Sequence, residues 1–488
     1  MIVTSLLASL TLSAFALAVM PATAFAQDSA VGVLKRASTV MGEPKSIRYA
    51  GDGTGWSFGQ AWAPGKAWPK IDIQSQVRTI NYTSGSMREE IAFSRGEPQG
   101  GGGYPLSGQQ RNDQYVSGPY AWNGSPGGAV PGPRFVIDRT HQLWTTPHGV
   151  IAAAMRNNAT VTWPAMGGKS LAAVSFRELG RFTATAFIND DYVVERVESR
   201  LPDPVLGEVA VVTTYSNYRD YGGVKFPGRI QQSQGGFPVL DLTVKEVQPN
   251  APAEIAIPDN VRTAAERVTT EKVADGVWFV AGGSHNSVAI EMKDHLILVE
   301  APLNDARTSA VIDEVKKLAP GKPIRYVLNS HHHFDHAGGL RTAVAEGAIV
   351  IADAGSKAYF ERAFATQGKI LPDLLTRSGR KATVRAVNGM MTLSDGARTV
   401  RIMPIVESNH ATGFMMVYLP KERLLIEADA YTPIPPNAKP PATPNANNVN
   451  LVVNLDGFKL AVDQILPLHG RVAPAADLYT TAGRTPPK

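Results

Sequence analysis

The sequence predicts two folded units in series: a mostly antiparallel β-rich region, then an α/β region. Three observations carry this. At 488 residues the chain is too long for one ordinary core. Between about 76 and 247, apolar segments with partial period-2 alternation are separated by turn residues. Beyond about 264, short strands come first and then alternate with helical segments, the order of sheets covered by helices. The expected division is a leader over 1–26, a β-rich domain over 27–263 and an α/β domain over 264–488.

The leader is different in kind. Residues 6–20 are almost wholly apolar, and Ala24-Phe25-Ala26 gives a small-x-small cleavage pattern before Gln27. This reads as a signal peptide, so a periplasmic or secreted protein is expected. No Lys or Arg precedes the apolar run, the one departure from the pattern. The run is short for a membrane span, so no stable membrane insertion is expected after cleavage. The chain has no cysteine, which excludes disulfides, a cysteine-linked lipid anchor and thiolate metal ligands. Net charge is +5 with no Lys/Arg run, so nucleic acid is not an expected partner. Oligomeric state has no signal.

In the β-rich region, strands are expected over 76–82, 88–93, 182–188, 192–200, 208–218, 224–233 and 239–247. Asn189-Asp190-Asp191, Gly222-Gly223 and Gly235-Gly236 supply the turns. Residues 150–158 suit a helix, and the run 100–103 is all glycine and reads as flexible. His141 and His148 are isolated, and lone histidines are more often structural or exposed than ligands. The stretch from Tyr218-Arg219-Asp220-Tyr221-Gly222-Gly223 to Val224-Lys225-Phe226-Pro227 resembles the late hairpins of the periplasmic lipoprotein-carrier type of half-barrel. That resemblance implies a curved sheet, one that wraps an apolar ligand or packs on the second unit.

Residues 249–272 read as a linker, with a turn at Pro258-Asp259-Asn260. Strands are then expected over 277–280, 287–292, 296–299, 324–328, 348–352, 399–406, 413–419, 423–426 and 465–468. Helices are expected over 305–318, 355–366 and 450–465.

The chemistry concentrates in Ser330-His331-His332-His333-Phe334-Asp335-His336-Ala337-Gly338-Gly339, between the strand 324–328 and an alanine-rich helical stretch. A sharp bend there aims several imidazole and carboxylate groups at one point, which suits a divalent transition metal held by nitrogen and oxygen. A solvated polar loop is the plain alternative. Against it stand Asp335 in phase, the strand before and Gly-Gly after. His410, Asp429 and His469 each follow an apolar strand downstream. Singly they read as a surface histidine, a capping Asp and a core histidine; together with the motif they read as one site.

His-x-His-x-Asp-His followed by His410, Asp429 and His469 resembles the metallo-β-lactamase superfamily of binuclear hydrolases, over about residues 272–475. The resemblance implies a four-layer αββα sandwich with the site on one edge between two sheets. It implies His331, His333 and His410 on a first metal, and Asp335, His336 and His469 on a second, with Asp429 bridging. His332 would not be a ligand. The expected cofactors are two Zn2+, with iron or manganese as other candidates. A hydroxide shared by the ions would attack an ester, lactone, thioester or amide of a small-molecule substrate, with Asp335 as the catalytic acid/base. Where family members carry Asp after the early hairpins this chain has Glu300, expected to support a ligand from behind. Tyr431 is a candidate donor to a leaving group, and the proline-rich strip 432–444 a candidate wall over the site. Alternatives in other classes are β-lactam hydrolysis, a single-iron sulfur dioxygenase on the same scaffold, and an apolar-ligand or envelope-binding protein with a structural metal site.

Overall fold

A computed structural model describes residues 29–97, 108–166 and 169–486. The leader and the glycine run at 100–103 lie outside them.

The first region is built on one sheet of thirteen strands in which every neighbouring pair is antiparallel, with two small two-stranded sheets beside it. Its first strand, Ser46–Trp56, pairs with its last, Phe237–Pro249, so the two halves of the meander join at the centre. The inner face is filled by three helices, Ala30–Met41, Val136–Trp144 and Pro147–Arg156. Val33, Leu34, Met41, Leu143, Val150 and Ile151 from these helices form one core with Ile80, Phe182, Val211 and Leu242 from the sheet. The face that these helices cover is therefore packed by the chain itself.

Most expected strands are present, and Phe182–Ile188 has the expected bounds. The expected strand over 224–233 is two pieces, Lys225–Phe226 and Arg229–Gln234, because Pro227 has no amide hydrogen to give the ladder. The expected turn at Pro258-Asp259-Asn260 opens a one-turn helix, Asp259–Arg262.

From Thr269 onward the chain builds an αββα sandwich. Seven strands lie in chain order from Thr269–Ala274 to Val384–Val387, the first three joins antiparallel and the last three parallel. Six more run from Met391–Ser394 to Ala473–Pro474. Period-2 alternation assigns the faces. Val277, Phe279, Ile297 and Val299 share one core with Ile402, Val417 and Ile426, which are paired side by side in the second sheet. Their neighbours Trp278, Val280, Leu296 and Leu298 turn outward onto helices Asp305–Leu318 and Ala354–Ala365. Leu451, Leu455 and Leu478, from helices Ala446–Gly457 and Ala475–Thr481, cover the second sheet.

The helix expected over 450–465 begins earlier and stops earlier. Asn445 caps its start by accepting from the Asn447 amide. After Gly457, Lys459 takes a left-handed conformation, φ 53°, and the Leu460 amide bonds back to Leu455 O at 3.0 Å. No helix among the described residues is long and apolar enough to cross a membrane.

Candidate metal centre

The candidate ligands converge on one edge of the sandwich, each from a strand end. His331 to His336 follow strand Ile324–Leu328, His410 follows Thr399–Pro404, Asp429 follows Leu424–Glu427, and His469 follows Gln464–Pro467. Strand carboxyl ends leave a crevice where ligands collect. The motif turns tightly because Gly338 and Gly339 sit against neighbouring chain. A Cβ on Gly338 would lie 2.1 Å from Leu303 O, and one on Gly339 1.8 Å from Thr308 Oγ1.

Three groups of metal-ligating atoms result, each group's atoms lying within 4.8 Å of one another: His331, His333 and His410; His285, Asp335, His336 and His469; and His331, His336 and Asp429. His331 and His410 face each other, Nε2 to Nε2, at 3.0 Å. His336 and His469 do the same at 3.1 Å. Asp429 lies between the pairs. Its Oδ2 is 2.8 Å from His336 Nε2, 3.5 Å from His331 Nε2 and 3.6 Å from His410 Nε2, and its Oδ1 is 3.4 Å from His469 Nε2.

Most of the remaining ring nitrogens are tied from behind, which sets the tautomers; His410 Nδ1 is buried without a partner. His336 Nδ1 donates to Glu300 Oε2 at 2.9 Å, and His469 Nδ1 to Ser284 O at 2.9 Å. His333 Nε2 donates to Ala61 O at 3.0 Å, so its free atom is Nδ1, which is buried without a partner. His331 Nδ1 lies 3.0 Å from Ser330 Oγ. His332 also donates its Nε2 to Ala61 O, at 2.8 Å, and belongs to none of the three groups.

The electrostatics fit a cation. Burial and the neighbouring imidazoles hold His331 and His333 far below the usual histidine range, as neutral bases. Burial opposes protonation of His336, but Asp429, Asp335 and Glu300 outweigh it and raise its pKa. Burial pushes Asp429 up, and His336, His410 and His469 outweigh that and hold it low. Imidazole nitrogens paired around a carboxylate, with His333 Nδ1 buried and unpartnered, are a donor set that a pair of divalent ions satisfies. The edge is open on one side: the Asp335 side chain is 31% exposed and His469 19%, while His331 is fully covered.

Sequence reasoning missed two contributors. His285 sits between strands Val277–Ala281 and Ser287–Glu291, and its Nε2 donates to Asp335 Oδ2 at 3.1 Å. Asn286 ties the same turn to the His469 loop through Pro467 O and Gly470 O, at 3.2 and 2.8 Å. The polar break Gly282-Gly283-Ser284-His285-Asn286 between two apolar strands is a signal that could have found it. The second contributor is a turn of the first region around Gln60, whose amide donates to Asp335 Oδ1 at 2.8 Å. Nothing local to its sequence marks it.

Tyr431 departs from expectation. Its ring is 1% exposed and belongs to the core around the second sheet, and its hydroxyl is buried. The following Pro433 and Ile434 do lie against the His469 turn: a Cβ on Gly470 would come within 3.2 Å of Pro433 Cδ, and Arg471 Nη2 donates to Ile434 O at 3.3 Å.

Residues 280–438 match the model of the metallo-beta-lactamase superfamily. The α subunit of 2,4-dinitroanisole O-demethylase from Nocardioides sp. (strain JS1661) is 28% identical over 163 residues, 33% of this chain and 46% of the relative; the chain thus spans about half that relative's length. Among solved structures, a metallo-β-lactamase from Pontibacter korlensis aligns at 14% identity and TM-score 0.35, covering 44% of this chain and 98% of that one. The FIM-1 metallo-β-lactamase of Pseudomonas aeruginosa in its mono-zinc form aligns at 20% identity and TM-score 0.33, covering 45% and 95%. The C-terminal sandwich is thus of metallo-β-lactamase type, and its His/Asp clusters suit a binuclear metal site.

Proposed function

We propose that the chain is an exported, two-zinc hydrolase of a small-molecule ester, lactone, thioester or amide. Its proposed parts are a cleaved leader over 1–26, a β-rich domain over 27–263 and the catalytic domain over 264–488, working in the periplasm or outside the cell. The single observation that carries the reading is Asp429, whose carboxylate reaches histidines of both groups within 3.6 Å. Asp429 with His331 and His336 would also make a two-histidine, one-carboxylate set for a single iron, so the reading rests on its reaching both histidine pairs at once, and the metal count decides between them.

His331, His333 and His410 would hold one ion; Asp335, His336 and His469 the other; and Asp429 both. Two divalent ions there supply an acidified water at neutral pH and an electrophile for the substrate's carbonyl. The chain's own groups do the rest. Asp335, on the open side, accepts a hydrogen bond from the attacking water and passes its proton to the leaving group. Glu300 and Ser284 O hold His336 and His469 with their Nε2 atoms forward. Neutral histidines at His331 and His333 keep their lone pairs available.

The test is a metal count and a substrate panel on the full chain. Two ions per chain, with hydrolysis of one substrate class abolished by chelation and restored by zinc, is the expected result. The panel holds lactones, esters, thioesters, β-lactams and, because of the relative's name, a nitro-substituted methyl aryl ether. One iron per chain with oxygen consumption would replace this reading by the dioxygenase.

A further inference from the structure

We infer that the turn Gly59-Gln60-Ala61 of the first region is part of the reaction centre, with Gln60 the positioning residue of Asp335. The inference rests on the two-ion reading above. A carboxylate on a short stem rotates freely unless one oxygen is anchored. Here Gln60 Nε2 anchors Oδ1 at 2.8 Å, which leaves Oδ2 facing His336 Nε2 at 3.7 Å and His285 Nε2 at 3.1 Å. Oδ2 is the atom turned toward the second group of ligands.

The Gln60 side chain is placed there by its backbone. On one side the Phe334 amide donates to Gly59 O at 3.1 Å. On the other, Ala61 O accepts from both His332 and His333, and the Thr412 amide donates to Trp62 O at 2.8 Å. Gly59 permits the approach: φ is +82°, and a Cβ would lie 2.7 Å from Phe334 Cγ. Phe58 and Trp68 then grip the Phe334 ring edge-to-face, with centroids at 5.2 and 5.8 Å. Phe334 lies inside the metal-binding motif. The turn therefore touches His333, Phe334 and Asp335 in succession, and its Ala61 carbonyl fixes the tautomer that frees His333 Nδ1.

A group that orients a metal ligand from behind is worth roughly 10- to 100-fold in metal affinity. The first region is thus needed to complete the second ion's ligand geometry, whatever else it does.

The experiment titrates cobalt(II) into the full-length, metal-free chain against a chromophoric chelator and records the cobalt spectrum. Wild type is compared with Gln60→Ala, with Gln60→Met, which keeps volume but has no N–H, and with Gln74→Ala. Gln74 is an exposed glutamine bonded to Ser94 Oγ at 2.7 Å, away from the site. Two ions are expected on wild type and Gln74→Ala. Both Gln60 variants are expected to lose about 10- to 100-fold in affinity for one equivalent only, with a changed spectrum for that equivalent and an unchanged metal-free melting temperature. Wild type that binds no second ion would overturn both this inference and the hydrolase reading. Two ions on wild type, with Gln60→Met indistinguishable from it, would overturn the role of Gln60 alone.

Discussion

His336 Nδ1 donates to Glu300 Oε2 at 2.9 Å, and the other oxygen of the same carboxylate accepts the Ser330 amide at 2.5 Å. Glu300 is fully buried and sits at φ 69°, a left-handed conformation unusual for this residue type. One side chain thus fixes both the entry to the histidine motif and the orientation of its last histidine.

Replacing Glu300 by glutamine tests that double role. Both groups facing the carboxylate are donors, and an amide offers one acceptor and one donor. One bond must be lost and one N–H must face another. The expected result is a loss of roughly 10- to 100-fold in affinity for the ion at His336. Chelator competition measures it, and an unchanged affinity would remove Glu300 from the support of the site.

Asp429 and Asp335 are both proposed ligands, and Asp335 alone is also given the proton transfer. Asp429→Ala removes the carboxylate between the two histidine pairs. The expected result is fewer than two ions per chain by elemental analysis, with activity lost. Asp335→Ala is expected to reduce kcat by about 100- to 10,000-fold with the sandwich still folded. Turnover by Asp335→Ala at the wild-type rate would sink the proposed proton transfer.

The glycines after the motif make a stability prediction. Gly339 has φ −108°, which any residue adopts, so the obstacle is space alone. Its Cβ would collide with Thr308, a fully buried side chain that itself donates to Pro302 O. Gly339→Ala is expected to cost about 1–3 kcal/mol as overpacking. Gly379→Ala, where nothing lies within 4 Å but φ is +65°, is expected to cost less. Urea midpoints of the two variants would check the order.

The site was legible where its chemistry is local. The motif, its strand and the strand-end positions of His410, Asp429 and His469 follow from short-range pattern. Sheet-forming segments with an alternating or a continuous apolar pattern, such as Phe182–Ile188 and Leu296–Val299, were legible for the same reason. Gln60 was not, because its partner is 275 residues away and a glutamine in a turn carries no pattern. The helices Ala30–Met41 and Val136–Trp144 were missed because their apolar faces are set by a sheet that must first exist. The core position of Tyr431 escaped for a related reason, since a tyrosine beside a ligand reads equally as reagent or as packing.

The last prediction concerns pH and lies outside the metal centre. His141 is 3% exposed, edge-on to Phe182, with Nε2 2.7 Å from Ser199 Oγ. Burial lowers its pKa from 6.5 to about 4. Between those values the unfolded chain binds a proton that the folded chain refuses, so this contribution is full above pH 6.5 and is lost as pH falls toward 4. Its upper bound is about 3 kcal/mol, at about 1.4 kcal/mol per pKa unit. Asp203 acts in the opposite sense: burial raises it to about 6, so it favours the folded state as pH falls from 6 to 4. The two partly cancel in the wild type, and single variants separate them. His141→Gln is expected to flatten the loss of stability between pH 6.5 and 4, while Asp203→Asn steepens it. Urea denaturation of metal-free protein at several pH values gives the differences, in which the unchanged metal centre drops out. A His141→Gln curve parallel to wild type across that window would show that His141 does not titrate with folding.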